Sequence, residues 1–187
     1  MKKTTDRLTN LIIDPNPPKD HYALNTTLAE RLARHLGGET KVIRLYDSSQ
    51  RYFNYEYNQE WIESLWEADR LVFPVPMWNF GIPAALKDFF DKISPKGELW
   101  DFDEKKNYIG RLKGKSAFII MTSAEIYPAD SPKDFVVPYL RLILGFLGIE
   151  AVREFRLGGV KDRNLAADEA YMNRVTSEML KTFGLKA

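Results

Sequence analysis

The chain has no cysteine, which excludes disulfides and thiol chemistry and fits a reducing compartment. It has two histidines, His21 and His35, on different elements, so the sequence offers no histidine-based metal site. It also has almost no net charge: 27 basic residues against 26 acidic leave +1, with no global pull toward nucleic acid or an anionic membrane surface. No apolar run reaches the roughly 18 residues that a membrane span needs. The amino terminus, MKKTTDRLTNLII, is basic but lacks the apolar region and small-residue cleavage site of a secretory signal. Neither a GxGxxG fingerprint nor a Walker phosphate loop is present, and there is no internal repeat, linker or low-complexity segment. The expectation is a soluble, cytoplasmic protein that binds neither nucleic acid, membrane nor metal.

What is present is a globular composition. Of 187 residues, 44% are hydrophobic and 13% aromatic, enough for one domain, residues 1–187, with a substantial core. Five short apolar or alternating runs at 8–13, 41–47, 70–76, 116–123 and 151–160 read as strands. Each is followed by a stretch of helical periodicity. The first helix places Leu28, Leu32 and Leu36 on one stripe, with Asn25 as its expected cap and Gly37-Gly38 as its stop. Residues 94–115 read as a long loop carrying Trp100 and Phe102. The alternation predicts a doubly wound, five-stranded parallel sheet with helices on both faces.

In such sheets ligands bind beyond the carboxyl ends of the strands, where the strand order reverses. The loops at issue are therefore 14–25, 76–80 and, beside them, 122–130. The first leads into a helix amino terminus, suited to phosphate. The second holds Trp78, Asn79 and Phe80 between a buried strand and a helix opened by Pro83. Two readings stay open: core aromatics beneath a loop, or a platform for a planar heteroaromatic ligand with Asn79 at its polar edge. The aromatic-rich segment 51–57, Trp100 and Tyr127 divide in the same way between packing and pocket, and His21 reads as a loop surface residue.

Three stretches carry a resemblance: PMWNFGIPAALKDFFDKI, DSPKDFVVPYLRLILGFLGI and RLKGKSAFIIMTS. In order and spacing they are similar to the motifs of FMN-dependent NADH-azoreductases and related NAD(P)H quinone reductases, over roughly residues 8 to 183. The resemblance implies a homodimer of flavodoxin-like subunits, each holding FMN without a covalent bond. Hydride would pass from NAD(P)H to the flavin and then to a small quinone or azo acceptor, so that no protein side chain is itself the catalyst. By the same resemblance Pro76, Met77, Trp78, Asn79 and Phe80 line the isoalloxazine, and Asn16, Leu24 and Asn25 surround the ribityl phosphate. Thr122, Ser123 and Ala124 complete the cofactor site, and Phe102, Glu125 and Tyr127 line the acceptor's side.

The sequence departs from that family at two places. The Ser-rich phosphate loop is replaced by Ala23-Leu24-Asn25-Thr26, and each lost bond to a charged group weakens binding by about 1.5–3 kcal/mol. Thr26, Thr27 or Lys19 are the residues placed to compensate. Glu125-Ile126 stands where the family has Gly-Gly, whose missing side chains allow close backbone approach. A flavodoxin-like binding or sensing domain with weakened or lost flavin binding is therefore the alternative function. An electron-carrier role fits less well, because such carriers are strongly acidic.

Overall fold

The computed structural model describes residues 7–17, 23–46, 56–161 and 165–186. Lys19, His21, Tyr55 and most of the aromatic segment 51–57 lie outside the described residues. Five strands form one parallel sheet: β1 (Thr9–Asp14), β2 (Glu39–Arg44), β3 (Arg70–Pro76), β6 (Ser116–Thr122) and β7 (Ala151–Leu157), in the order β2-β1-β3-β6-β7. Between them run α1 (Ala23–Leu36), α2 (Gln59–Glu67), α3 (Ala84–Lys92) and α4 (Val137–Phe146), and α5 (Glu169–Thr182) closes the order. The doubly wound sheet expected from the sequence is the one observed.

Alternation along the three central strands builds two cores. Leu11 and Ile13, Leu71, Phe73 and Val75, and Ala117, Ile119 and Met121 face α2, α3 and α4. Ile12, Val72, Phe118 and Ile120 face α1 and α5. Because both faces are covered, these strands read as nearly continuous apolar runs. The edges differ: β2 is largely exposed and carries Glu39, Lys41 and Arg44, the charged character that blunts an open edge. Pro74 is tolerated inside β3 because pairing with β1 ends at Val72, so the missing N–H falls beyond that ladder.

Two expectations are corrected here. The stretch around Trp100 and Phe102 is not a plain loop but an antiparallel hairpin, β4 (Trp100–Phe102) with β5 (Tyr108–Gly110). Its tip is closed by the Asp103 carboxylate, which accepts from the Lys105 and Asn107 amides and from Asn107 Nδ2. And α1 begins at Ala23, so Asn25 lies in its first turn instead of capping it. Gly37, at φ 64°, does end that helix. No described helix is long and apolar enough to cross a membrane.

Candidate functional site

The order reverses between β1 and β3, and the segments leaving Asp14, Pro76 and Thr122 meet there. Asn16 and the first turn of α1 are tied to Asp14, a nearly fully buried carboxylate that sequence reasoning passed over. Asn16 donates to Asp14 Oδ1 from its backbone N at 3.0 Å and from Nδ2 at 2.7 Å. Thr26 Oγ1, in the first turn of α1, donates to Asp14 Oδ2 at 2.9 Å. Arg44 Nη1 lies 3.8 Å from the same oxygen. The available signal was an Asp at a strand end followed by Pro-Asn, the composition of an Asx turn. Asn16 Nδ2 also reaches the Pro74 carbonyl at 3.0 Å and so ties this segment to β3.

Two buried polar atoms here have no partner: Asn16 Oδ1 and Asn25 Nδ2. Buried polar groups are almost always hydrogen-bonded, so an orphaned acceptor and donor at a strand–helix junction leave bonding capacity for a ligand or a water. The donor suits an anionic oxygen and the acceptor suits a hydroxyl. Thr26, expected as a compensating phosphate donor, is already bonded to Asp14. Leu24 is buried beside these groups, in the core shared by α1 and the sheet.

The β3–α3 connection is a tight turn. Trp78 N donates to the Gly81 carbonyl and Gly81 N to the Trp78 carbonyl, both at 3.0 Å. The two central residues have positive φ, 48° at Asn79 and 70° at Phe80, the pattern of a primed hairpin turn. Asn tolerates that region; a bulky aromatic there is an outlier. Phe80 is 47% exposed, Asn79 is exposed and Trp78 half-buried, whereas Pro76 is buried and Met77 packs on the core. The reading of Phe80 as a core aromatic is therefore excluded.

The third segment is anchored from both sides. Met77 N donates to the Thr122 carbonyl at 2.8 Å, and Ser123 N to the Leu157 carbonyl at 3.0 Å. Ser123 Oγ closes a small turn on the Glu125 carbonyl at 2.6 Å. Thr122 and Ser123 are buried, Ala124 and Glu125 exposed, and Tyr127 half-buried. The Glu125 carboxylate meets Lys161 Nζ at 3.1 Å, so a cation accompanies it. A Cβ on Gly158 would stand 2.7 Å from Ile126 Cα and 2.9 Å from the Glu125 carbonyl oxygen. Gly158, directly after β7, thus makes room for the backbone of residues 125 and 126.

Further along, Asp134 Oδ1 accepts from Val136 N at 2.8 Å and Val137 N at 3.2 Å, the amides that lead into α4. Its Oδ2 is paired with Arg156 Nη1, and Arg156 Nε meets Glu154 Oε1 at 2.9 Å. Burial works against the Arg156 charge, but the bonds to Asp134 and Glu154 outweigh it and raise its pKa. Phe102 lies apart, on the hairpin, where its ring packs on Trp100 at 5.5 Å and Tyr108 at 5.0 Å with Lys96 Nζ 5.0 Å above it. Among the described residues no group of three or more acidic or histidine side chains could hold a metal ion.

A family model described as the flavodoxin-like fold matches residues 8–181. The chain belongs to that flavodoxin-like family. Among characterised relatives, it is 34% identical over 121 residues to an FMN-dependent NADH:quinone oxidoreductase of Beijerinckia indica and 37% identical over 126 residues to one of Hydrogenovibrio crunogenus. Those matches cover 63% and 66% of this chain, and the chain spans 59% of the length of each relative. An FMN-dependent NADH-azoreductase from Bacillus anthracis, solved in complex with FMN, superposes with a TM-score of 0.72 at 22% identity, covering 93% of this chain and 98% of that one. At that identity the likeness is one of fold.

Proposed function

We propose that this flavodoxin-like protein is an FMN-dependent NAD(P)H oxidoreductase passing electrons to quinone or azo-type acceptors. One observation carries the reading: the Trp78–Gly81 turn spends backbone strain to hold an exposed Phe80 and Asn79 at the switch point of the sheet. Strained residues concentrate at ligand sites. The relatives named FMN-dependent NADH:quinone oxidoreductases support the same reading.

The residues present fit the cofactor. Asn25 Nδ2 is a free donor for an anionic phosphate oxygen, and Asn16 Oδ1 a free acceptor for a ribityl hydroxyl. Leu24 walls that end. Pro76, Met77, Trp78, Asn79 and Phe80 offer apolar and aromatic surface to the planar ring, with Thr122, Ser123 and Ala124 beside them. FMN, when bound, supplies the hydride chemistry between nicotinamide and acceptor. The chain's part is to bind, to orient and to keep water from the ring. Glu125 and Tyr127 line the acceptor's approach, and the Glu125–Lys161 pair keeps a bare negative charge from that entrance.

Residues 1–187 act as one cytoplasmic domain in this reading, and two copies form a homodimer through the α4 face and the hairpin, which brings Phe102 toward the partner's site. Quenching of flavin fluorescence on titration with the protein tests the core of it. Saturable binding at micromolar or lower Kd is expected. An absence of saturable quenching overturns it in favour of a flavodoxin-like module without flavin.

A further inference from the structure

Phe80 is held at positive φ from two sides. Its own turn closes beneath it, and its carbonyl accepts from Phe135 N at 3.0 Å, across to the segment entering α4. Phe135 directly follows Asp134, whose side chain is fully buried and divides its two oxygens between different tasks. Oδ1 takes the Val136 and Val137 amides, which fixes the start of α4 only to its own leading segment. Oδ2 pairs with Arg156 on β7, which fixes that segment to the sheet. Arg156 is in turn braced by Glu154, and Glu154 by Arg141 at 2.7 Å near the surface.

We propose that Arg156, acting through Asp134, is a positioning residue for the Trp78–Gly81 turn. The ion pair locks the start of α4 against β7, and the Phe135 N–H delivers that fixed position to the Phe80 carbonyl. A single backbone bond holds a strained turn only if its donor cannot drift, and the Arg156 pair removes the drift. The functional half of this inference rests on the flavin reading above, because the turn is the surface assigned to the ring. The geometric half does not.

The two tasks of Asp134 can be separated. An asparagine side-chain oxygen can accept the same two amides, so Asp134→Asn keeps those bonds and ends the ion pair. Arg156→Met alone strands a buried carboxylate, a costly change in itself. The double variant Asp134→Asn/Arg156→Met carries neither charge and is the decisive protein. Hydrogen exchange in the flavin-free state is expected to quicken about tenfold or more at the Gly81 and Phe135 amides, while β3 and β6 amides stay unchanged, since local opening differs from global unfolding. The Kd for FMN is expected to rise about tenfold, the scale of one lost charge-assisted bond, with a shifted visible spectrum for the flavin that still binds. Arg141→Met, which breaks the outer pair and the 3.3 Å bond to the Val152 carbonyl but leaves Asp134 untouched, should move none of these readouts. Unchanged exchange at Gly81 and Phe135 overturns the clamp, whatever the flavin does. Faster exchange with an unaltered Kd and spectrum overturns its role toward the ligand. If the wild-type protein binds no FMN, the flavin reading and this functional half fall together, and exchange at Gly81 decides the clamp.

Discussion

Asn79 and Phe80 share a backbone conformation that they tolerate unequally, and this sets how each should be probed. At φ 48° an asparagine is nearly at ease, whereas alanine pays about 1–2 kcal/mol for the left-handed region. Asn79→Ala therefore mixes strain with a lost amide. Asn79→Gly removes the amide and keeps the turn. The expected outcome is an almost unchanged melting temperature for Asn79→Gly with flavin binding weaker by about 0.5–1.5 kcal/mol, and a lower melting temperature for Asn79→Ala. If Asn79→Gly leaves FMN affinity intact in a fluorescence titration, Asn79 does not touch the ring. Phe80→Gly poses the packing question. Relief of strain, about 1–3 kcal/mol, opposes glycine's chain-entropy cost of about 0.5–1 kcal/mol, and the ring is half exposed. Stability should shift by less than about 2 kcal/mol in either direction, well short of the roughly 3–5 kcal/mol of a buried aromatic deletion. A loss of that larger size in chemical denaturation would return Phe80 to the core and remove the platform.

At the scale of elements, the segment after β6 and the segment after β7 are matched. Glu125-Ile126 fits only because Gly158 has no side chain, and a Cβ there would meet backbone, which cannot swing away. Gly158→Ala is expected to displace residues 123–127 and to weaken flavin binding more than it lowers the melting temperature. Equal FMN affinity in the variant would show that this segment stands clear of the ligand. Such a pairing was not legible in the sequence, where Glu125-Ile126 reads as a departure from the family's Gly-Gly and the glycine it packs against lies more than thirty positions on. The central strands were legible because burial on both faces leaves apolar runs such as LVFPVP and SAFIIMT. The hairpin was not, since its three-residue strands are too short to show a period and its closing turn is made by one side chain, Asp103. Asp14 escaped notice for a related reason: its role comes from Thr26 and Asn16 closing on it in space. Between α3 and α4, burial and, secondarily, Asp91 push the Tyr139 phenol up to about 12. A phenol whose folded pKa lies above its unfolded value of about 10 contributes stability that is complete below pH 10 and lost as pH rises toward 12. Wild-type protein should therefore lose stability between pH 10 and 12 more steeply than Tyr139→Phe. Parallel melting curves for the two across that window would exclude the linkage.

For the whole molecule, the face bearing α4 and the hairpin is too apolar to be left in water. Phe135, Tyr139, Leu142 and Phe146 recur at spacings of four, three and four and so share one side of the α4 segment. Phe135 is 63% and Leu142 73% exposed. The hairpin extends the patch: Tyr108, 65% exposed, packs against Phe146 at 5.4 Å, and Phe102 lies beside it. Its seat on the body is close. A Cβ on Gly110 would fall 2.0 Å from Gly148 N, so the strand rests directly on the end of α4 and cannot fold its aromatics inward. Contiguous exposed apolar surface of this kind marks an interface, and the simplest cover is a second copy across a two-fold axis. Light scattering at micromolar concentration should give twice the mass of 21.6 kDa. Leu142→Asp sits at the most exposed point of the stripe and removes little burial within one subunit, so it should yield a folded monomer. If the dimer also completes the site, that monomer keeps its flavin but loses the cover supplied by the partner copy, and its bound flavin becomes more accessible to iodide quenching. A wild-type protein of monomer mass would sink the assembly. A Leu142→Asp monomer whose flavin is quenched no faster than in the dimer would separate assembly from the site.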